Sequence, residues 1–190
     1  MARWDPGTAD RLRKAALELY AEHGYDAVTI TQIAERAGIT RRSYFRYFPD
    51  KREVLFAGAE QLPPAVGEAV LAAEEGETPL RTALGALVEV GTQVTRLVDP
   101  SPERRAVIAS SAELRERERS KAAAITAAIR DALERRGTDP ELAKPAAQAA
   151  ANILGDAFDR WIDDDGAEDF PAYLAAATSA FREACGVAFP

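Results

Sequence analysis

Capping and terminating residues recur along the whole chain, and they constrain the fold more than any other feature. Thr29-Ile-Thr-Gln32 has the form of a capping box, in which two side chains satisfy the first backbone N–H groups of a helix. Three further sites pair a capping residue with a proline at the first helical position: Thr78-Pro79, Ser101-Pro102 and Asp139-Pro140. No stretch alternates apolar and polar residues as a half-buried strand would. The sequence therefore predicts an all-α protein of about nine helices.

The same signals predict where the N-terminal helices begin and end. A first helix follows Thr8 and stops at Gly24, and a short helix that Thr29 opens is closed by Gly38. Thr40 caps another short helix over residues 41–48, which Pro49 ends. Asp50 and Glu53 form a second capping box, which starts the next helix.

Further helices are predicted along the rest of the chain. The apolar spacing indicates helices over residues 64–75 and 79–98, a short helix to about Ser110, and a long one ending at Gly137. Pro145 is expected to kink or delay the helix after Asp139, because proline removes a backbone bond inside a helix. The final helix is predicted over residues 170–185, with Asp169 as its cap.

Charge is distributed unevenly along the chain. The whole sequence has 24 Lys and Arg against 31 Asp and Glu, a formal charge of −7. Residues 1–52 have ten basic and seven acidic side chains, so the other 138 residues have 14 basic and 24 acidic ones. Between Arg41 and Arg52 the counts are five basic and one acidic. This asymmetry indicates an anionic partner for the N-terminal part alone, and the alternative is a solvated basic face.

Several classes of protein are excluded by what the sequence lacks. A single cysteine, Cys185, excludes an internal disulfide and a multi-cysteine zinc site, and a single histidine, His23, leaves no pair of imidazoles for metal or catalysis. The sequence has no nucleophile elbow and no glycine-rich phosphate loop, so we expect no enzyme, cofactor or metal. The run at residues 163–165 lacks calcium-loop spacing and is interpreted as a solvated loop. No apolar run approaches about 18 residues, and we expect a soluble, cytoplasmic protein without a membrane partner.

Residues 29–48 form one unit, a capped helix, a turn containing glycine and a second capped helix, which is the helix-turn-helix arrangement. Phe45 and Phe48 are predicted to face inward. The other surface then carries the polar side chains near the N-terminus of the second helix: Arg41, Arg42, Ser43, Tyr44 and Arg46. A major groove admits one helix, and arginine is the commonest reader of guanine. Tyr47 and Lys51 lie beyond that turn, where they would contact phosphates.

Residues 24–51, GYDAVTITQIAERAGITRRSYFRYFPDK, resemble the signature of the TetR family of transcriptional regulators, and the resemblance extends over residues 8–56. It implies a helix-turn-helix DNA-binding domain over residues 1–52 and a helical effector-binding and dimerisation domain over residues 53–190. The residues that match DNA-contacting positions of the family are Thr29, Thr31, Thr40, Arg41, Arg42, Ser43, Tyr44, Tyr47 and Lys51. Thr31 could equally serve only the helix start, and Arg46 could equally be solvated.

One position departs from the family pattern. Phe45 stands where the family usually has a tyrosine, whose hydroxyl often holds a phosphate. Phenylalanine has no such hydroxyl, so Tyr44 or Tyr47 would have to take its place.

Two recognition helices that read half-sites one DNA turn apart must lie about 34 Å apart, which requires a two-fold dimer. The segment over residues 145–162 is apolar almost all round, and the final helix repeats the pattern, so we expect these two helices to pair with their copies. The predicted interface residues are Ala150, Ile153, Leu154, Ala157, Phe158, Trp161, Tyr173, Ala177 and Phe181. The alternative is one large core with alanine as filler.

The middle helices supply a third set of apolar residues: Leu84, Leu87, Val88, Val94, Leu114, Ile125 and Ile129. The resemblance implies that such helices enclose a mostly apolar pocket, whereas the spacing alone is equally that of an ordinary core. No residue is assigned to the ligand.

The sequence as a whole indicates a ligand-responsive, sequence-specific DNA-binding regulator, expected to be a repressor that a small, largely apolar effector releases. Its partners would be a palindromic double-stranded operator, that unidentified effector and a second copy of the chain. The alternative is a helical scaffold or binding module whose basic segment contacts an acidic protein.

Overall fold

The computed structural model describes residues 6–56, 59–95 and 101–186. These residues form ten α-helices and one 3₁₀ turn, Ala59–Gln61, so the prediction of an all-α protein of about nine helices is confirmed. No helix among these residues is long and apolar enough to cross a membrane. The helices are α1 (Pro6–His23), α2 (Ile30–Arg36), α3 (Arg41–Tyr44), α4 (Glu53–Phe56), α5 (Leu62–Ala72), α6 (Pro79–Thr95), α7 (Pro102–Ser110), α8 (Ala112–Arg135), α9 (Pro140–Asp163) and α10 (Phe170–Ala184).

The predicted caps around α2 are present. The Thr29 backbone N–H donates to the Gln32 side chain at 2.8 Å, and the Gln32 N–H donates back to the Thr29 hydroxyl at 3.3 Å. Between α2 and α3 the chain reverses at Gly38, whose φ of 74° lies in the left-handed region that glycine adopts without a Cβ clash. Because these signals are local, the beginning of α2 and the turn after it follow from the sequence alone.

The helix predicted over residues 41–48 is shorter in the structure. After Tyr44 the chain tightens into a turn, in which the Arg46 N–H donates to the Ser43 carbonyl at 3.2 Å and the Tyr47 N–H to the Tyr44 carbonyl at 2.9 Å. Bonds between residues three apart are those of a 3₁₀ turn, which commonly ends a helix. The structure therefore confirms the start of this helix and corrects its end.

Three later predictions also differ from the structure. Helix α5 covers Leu62–Ala72 rather than residues 64–75, and the Asp169 side chain makes no capping hydrogen bond at the start of α10. Helix α9 begins at Pro140 and continues through Pro145, so the helix is not delayed, and the alternative of a kink at Pro145 stays a prediction. Pro145 lies close to the helix start, where its missing N–H removes only one backbone bond. The predicted end of α6 at Val98 falls outside the described residues.

The described residues of 1–59, together with residues 102–119, form one compact unit. Helix α1 buries Leu12 and Tyr20 in its core, and Ile33 of α2 is also fully buried. Helix α7 adds Ile108, and Leu114 lies in the part of α8 that belongs to this unit. The core beneath the helix-turn-helix is thus completed by residues distant in sequence. The predicted boundary at residue 52 separates a DNA-binding domain from an effector-binding and dimerisation domain. That boundary concerns function rather than packing, and it stays a prediction.

The described residues of 60–101 and of 120–190 form the second compact unit. Helix α9 contacts both α6 and α10, and it buries residues along its length, including Ala147, Ile153 and Trp161. The Phe158 and Phe170 rings pack with their centroids 4.7 Å apart. The core of this unit therefore surrounds much of α9.

Candidate nucleic-acid interface

The start of α3 presents positive charge to solvent. Arg41, Arg42 and Arg46 are exposed, and within the described residues neither Arg41 nor Arg42 takes part in an ion pair. The Thr40 hydroxyl accepts the Ser43 N–H at 3.1 Å and so fixes the first turn of the helix, as the sequence predicted. We call residues 40–46 the cationic turn. Its guanidinium groups are available to an anionic ligand.

The structure corrects which aromatic side chains of this segment face inward. Tyr44 and Phe48 lie four residues apart, and both are buried in the core of the first unit. The Tyr44 hydroxyl donates to the Asp50 carbonyl at 2.9 Å, and burial raises the pKa of this phenol above its ordinary value. The prediction that Tyr44 faces a DNA partner is therefore wrong, because its side chain is enclosed by its own chain.

Phe45 takes the outward position instead. It was predicted to face inward, yet it is 46% exposed, because it follows Tyr44 by one residue and so points about 100° away around the helix axis. The Arg41 guanidinium carbon lies 5.6 Å from the centroid of its ring. The four-residue spacing of Tyr44 and Phe48 was the signal in the sequence for this arrangement.

The four residues with hydroxyl side chains that are predicted to contact DNA lie at the beginnings of α2 and α3. Thr29, Thr31 and Thr40 are exposed and Ser43 is half-buried. Thr29 donates its hydroxyl hydrogen to Gln32 at 2.8 Å, and the Thr40 and Ser43 oxygens lie 3.0 Å apart. Thr29 and Thr40 thus cap the two helices, Ser43 contacts the cap of α3, and contact of these hydroxyl groups with a phosphate stays a prediction.

Lys51 is held by the first unit rather than free in solvent. Its ammonium donates to the Tyr25 carbonyl at 2.9 Å and to the Val28 carbonyl at 3.3 Å, and it lies 4.0 Å from the centroid of the Tyr25 ring. The Tyr20 hydroxyl donates to the Lys51 carbonyl at 2.6 Å. An ammonium has three N–H donors, so one remains for a phosphate. Tyr47 is half-buried and packs against the core of the first unit.

A set of arginine contacts fixes α4, which follows the helix-turn-helix. The Arg117 guanidinium donates to both Glu53 carboxylate oxygens, at 2.6 and 3.1 Å. These hydrogen bonds raise the pKa of the Arg117 guanidinium. Arg104 donates from Nε to the Leu55 carbonyl at 2.9 Å, and burial lowers the pKa of this guanidinium. Both guanidinium groups lie over the Phe56 ring, at 5.4 and 5.6 Å from its centroid. We call these contacts the α4 clamp. Sequence reasoning missed it, because its partners lie about 50 to 60 positions apart.

The predicted dimer residues are mostly in the core of the second unit. Phe158 and Phe181 are half-buried, but the other seven are buried: Ala150, Ile153, Leu154, Ala157, Trp161, Tyr173 and Ala177. These seven side chains pack mainly within their own unit, and their contact with a second copy stays a prediction. Helix α9 looks apolar all round because α6 and α10 both pack against it.

The residues predicted to enclose an effector divide between the two units. Leu114 belongs to the core of the first unit, whereas Leu87, Ile125 and Ile129 are buried in the core of the second. Val88 is 37% exposed, and the remaining two, Leu84 and Val94, are half-buried. These side chains therefore do not enclose one common pocket, and the ligand-binding role stays a prediction.

Two open grooves lie on the second unit. One, of about 430 Å³, runs between α8 and α9, and the other, of about 440 Å³, lies beside the start of α10. Arg130 lines the first groove, and three carboxylates, those of Asp163, Asp164 and Glu168, line the second. Both differ from the enclosed apolar pocket expected from the sequence.

The N-terminal segment of the chain is similar in sequence to known proteins. The family model described as bacterial regulatory proteins, tetR family, matches residues 12–57. The HTH-type transcriptional regulator TcmR of Streptomyces glaucescens is 41% identical over 83 residues, which are 42% of this chain and 35% of that protein. YdeS of Bacillus subtilis, described as an uncharacterized HTH-type transcriptional regulator, is 33% identical over 72 residues, 35% of this chain and 36% of that protein. The chain thus matches about a third of the length of these relatives, which are regulators and not enzymes.

Comparison of structures extends the likeness of fold to most of the chain. SmeT of Stenotrophomonas maltophilia in complex with triclosan has a TM-score of 0.58 at 18% identity, covering 94% of this chain and 91% of that one. NalD of Pseudomonas aeruginosa, the secondary repressor of the MexAB-OprM multidrug efflux pump, has a TM-score of 0.59 at 19% identity, covering 94% and 97%. FadR of B. subtilis in complex with stearoyl-CoA has a TM-score of 0.54 at 18% identity, covering 90% and 96%. At these identities the comparison establishes the fold alone.

Proposed function

We propose that this chain, which belongs to the TetR family of bacterial regulatory proteins, is a sequence-specific DNA-binding transcriptional regulator that responds to a small molecule. The observation that carries the proposal is the cationic turn. Arg41 and Arg42 lie exposed on the first turn of a capped helix, and the buried Tyr44 holds that helix on the core beneath. An arginine fork on a rigid helix end suits the paired acceptors of guanine in the major groove.

The contacts of this segment divide into those that would read bases and those that would hold the backbone. Arg41 and Arg42 are proposed to reach base edges, because they lie at the start of α3. Arg46, Tyr47 and Lys51 follow the helix and are proposed to contact phosphates, which fix register without reading sequence. The hydroxyl groups of Thr29, Thr31, Thr40 and Ser43 would add further backbone contacts.

A dimer of this chain would use the outer faces of α9 and α10, the two helices predicted from the sequence. The exposed side chains there recur at spacings of three and four residues, which places them along one stripe of each helix. Small residues allow two helix axes to approach closely. The proposed interface stripe is Gln148, Asn152, Gly155 and Asp159 on α9 and Ala172, Ala176 and Ser179 on α10. Phe158 and Phe181 lie outside this stripe.

An effector would act by binding one arrangement of the DNA-binding segments more tightly than another. SmeT with triclosan and the B. subtilis FadR with stearoyl-CoA support a small-molecule site in a fold of this kind. The α4 clamp supports a route by which effector binding would reach the DNA-binding segment, because any movement of α7 or of the first turns of α8 would carry α4 with it. We propose that the effector is small and largely apolar, that its binding lowers operator affinity, and that the protein acts as a repressor in the cytoplasm.

Selection of bound duplexes from a random DNA pool tests this proposal. We expect enrichment of one palindromic sequence, with binding that weakens steeply as salt is raised, because phosphate contacts release counterions. Arg81→Ala is a matched control, since it removes an exposed arginine from α6 and should leave the enriched sequence unchanged. A pool that yields no enriched sequence would contradict the proposal. It would favour a scaffold whose basic segment contacts an acidic protein.

A further inference from the structure

Phe45 is an exposed aromatic side chain in the middle of a charged segment. Among the described residues three large apolar side chains are exposed, Phe45, Val88 and Leu142, and Phe45 is the aromatic one. A single exposed apolar residue is common on protein surfaces and carries no meaning alone. The surroundings of this ring are what distinguish it.

The ring of Phe45 is held by two neighbours. The Arg41 guanidinium carbon lies 5.6 Å from its centroid, one helical turn back, and the Tyr44 ring meets it edge-on with centroids 5.8 Å apart at 82°. Tyr44 is itself fully buried and fixed by a hydrogen bond to the Asp50 carbonyl. The Phe45 ring is therefore already oriented, so less side-chain entropy is lost when it meets a partner.

The chemistry of the ring limits what it can recognise. Phe45 has no hydroxyl and cannot donate to a phosphate, yet it lies beside Arg41, which the proposed function places at base edges. Among the base edges that B-DNA exposes in its major groove, the C5-methyl group of thymine is the apolar one. Resting on the proposed function, we propose that Phe45 contacts a thymine methyl group in each half-site and that Arg41 positions the ring for this contact.

Replacement of thymine by deoxyuridine tests this contact, because it deletes the methyl group and leaves the base pairing intact. Each thymine of the selected operator is replaced in turn, and the dissociation constants of the wild type and of Phe45→Ala are measured by fluorescence anisotropy. We expect one thymine per half-site whose replacement weakens wild-type binding about fourfold, the effect of one buried methyl group. The same replacement should leave the affinity of Phe45→Ala unchanged.

Two further variants complete the design. Phe45→Leu keeps an apolar side chain and should retain part of the response to deoxyuridine. Leu142→Ala, which shortens an exposed apolar side chain of the second unit, should keep the full wild-type response. Thermal unfolding of Phe45→Ala should match that of the wild type, since the side chain is exposed.

Three outcomes would overturn the inference. If Phe45→Ala responds to deoxyuridine at every position as the wild type does, the ring contacts no thymine methyl group. If Phe45→Ala loses affinity equally for the operator and for random duplexes, the ring contacts the sugar-phosphate backbone instead. If the wild type binds no duplex selectively, the proposed function fails and the inference falls with it, which separates that failure from the first two.

Discussion

Two glycines on the same helix should respond in opposite directions to the same substitution. A Cβ at Gly91 of α6 would lie 2.4 Å from Cε1 and 2.6 Å from Cδ1 of Phe170, whereas a Cβ at Gly85 would have nothing within 4 Å. Carbon atoms in contact are normally about 3.5–4.0 Å apart, so Phe170 would have to shift by about 1 Å. Phe170 is 2% exposed and its ring packs on Phe158 with centroids 4.7 Å apart, so it has little space to move.

The expected free energies follow from this geometry. Overpacking a core costs about 1–3 kcal/mol, and replacing a helical glycine by alanine returns about 1 kcal/mol. We therefore expect Gly91→Ala to lower the free energy of unfolding by up to about 2 kcal/mol, and Gly85→Ala to raise it by about 0.5–1 kcal/mol.

Urea unfolding followed by circular dichroism measures both variants. Adding Phe170→Leu to Gly91→Ala should recover part of the loss, because the shorter side chain withdraws from the new Cβ, and a double-mutant cycle gives this coupling. If Gly91→Ala proves as stable as Gly85→Ala, the close approach of Phe170 to α6 is wrong.

Three other perturbations test the first unit. Arg117→Ala should lower the free energy of unfolding, measured in urea, by about 1–2 kcal/mol, because it leaves the Glu53 carboxylate without its charged donor. An unchanged free energy of unfolding would mean that the α4 clamp contributes nothing to stability. Lys51→Ala should weaken binding to operator and random duplexes alike and lower the salt slope by about one, and an unchanged slope would remove its phosphate contact. Burial opposes ionisation of Asp50, but hydrogen bonds from the Arg52 side chain and from the Glu53 and Arg52 N–H groups hold its pKa below the ordinary value of 3.8. Because the folded pKa is the lower one, the stabilisation is present above about pH 4 and is lost as the pH falls through the folded pKa. Asp50→Asn should therefore flatten the fall of the urea midpoint below about pH 4, and an equally steep fall in both proteins would contradict this.

What could be predicted from the sequence was local. The capping box of Thr29 and Gln32, the Thr40 cap and the turn at Gly38 each depend on residues within four positions, and the structure contains all three. The exposed arginines of α3 followed from the same local pattern. Such signals define where short helices start, because a cap is a contact between near neighbours.

What could not be predicted depended on distant partners. Lys51 bonds carbonyls more than 20 residues away, and Arg117 bonds Glu53 across 64 positions, so neither contact leaves a periodic signal. The alanines of α9, such as Ala150 and Ala157, are fully buried in their own unit, yet alanine is small enough to suit a core or an interface equally. The apolar pattern of α9 therefore predicted correctly that its side chains are buried. It did not show whether they pack in the core of their own unit or against a second copy of the chain.

The affinity of the two arginine variants for operator and for random DNA tests the central claim most directly. If the cationic turn reads bases, Arg41→Ala and Arg42→Ala should each lose about 1–3 kcal/mol on the operator and much less on a random duplex. Each should also relax the preference at one base position. An equal loss on both duplexes for both variants would contradict the claim, because it would leave the arginines holding only the phosphate backbone.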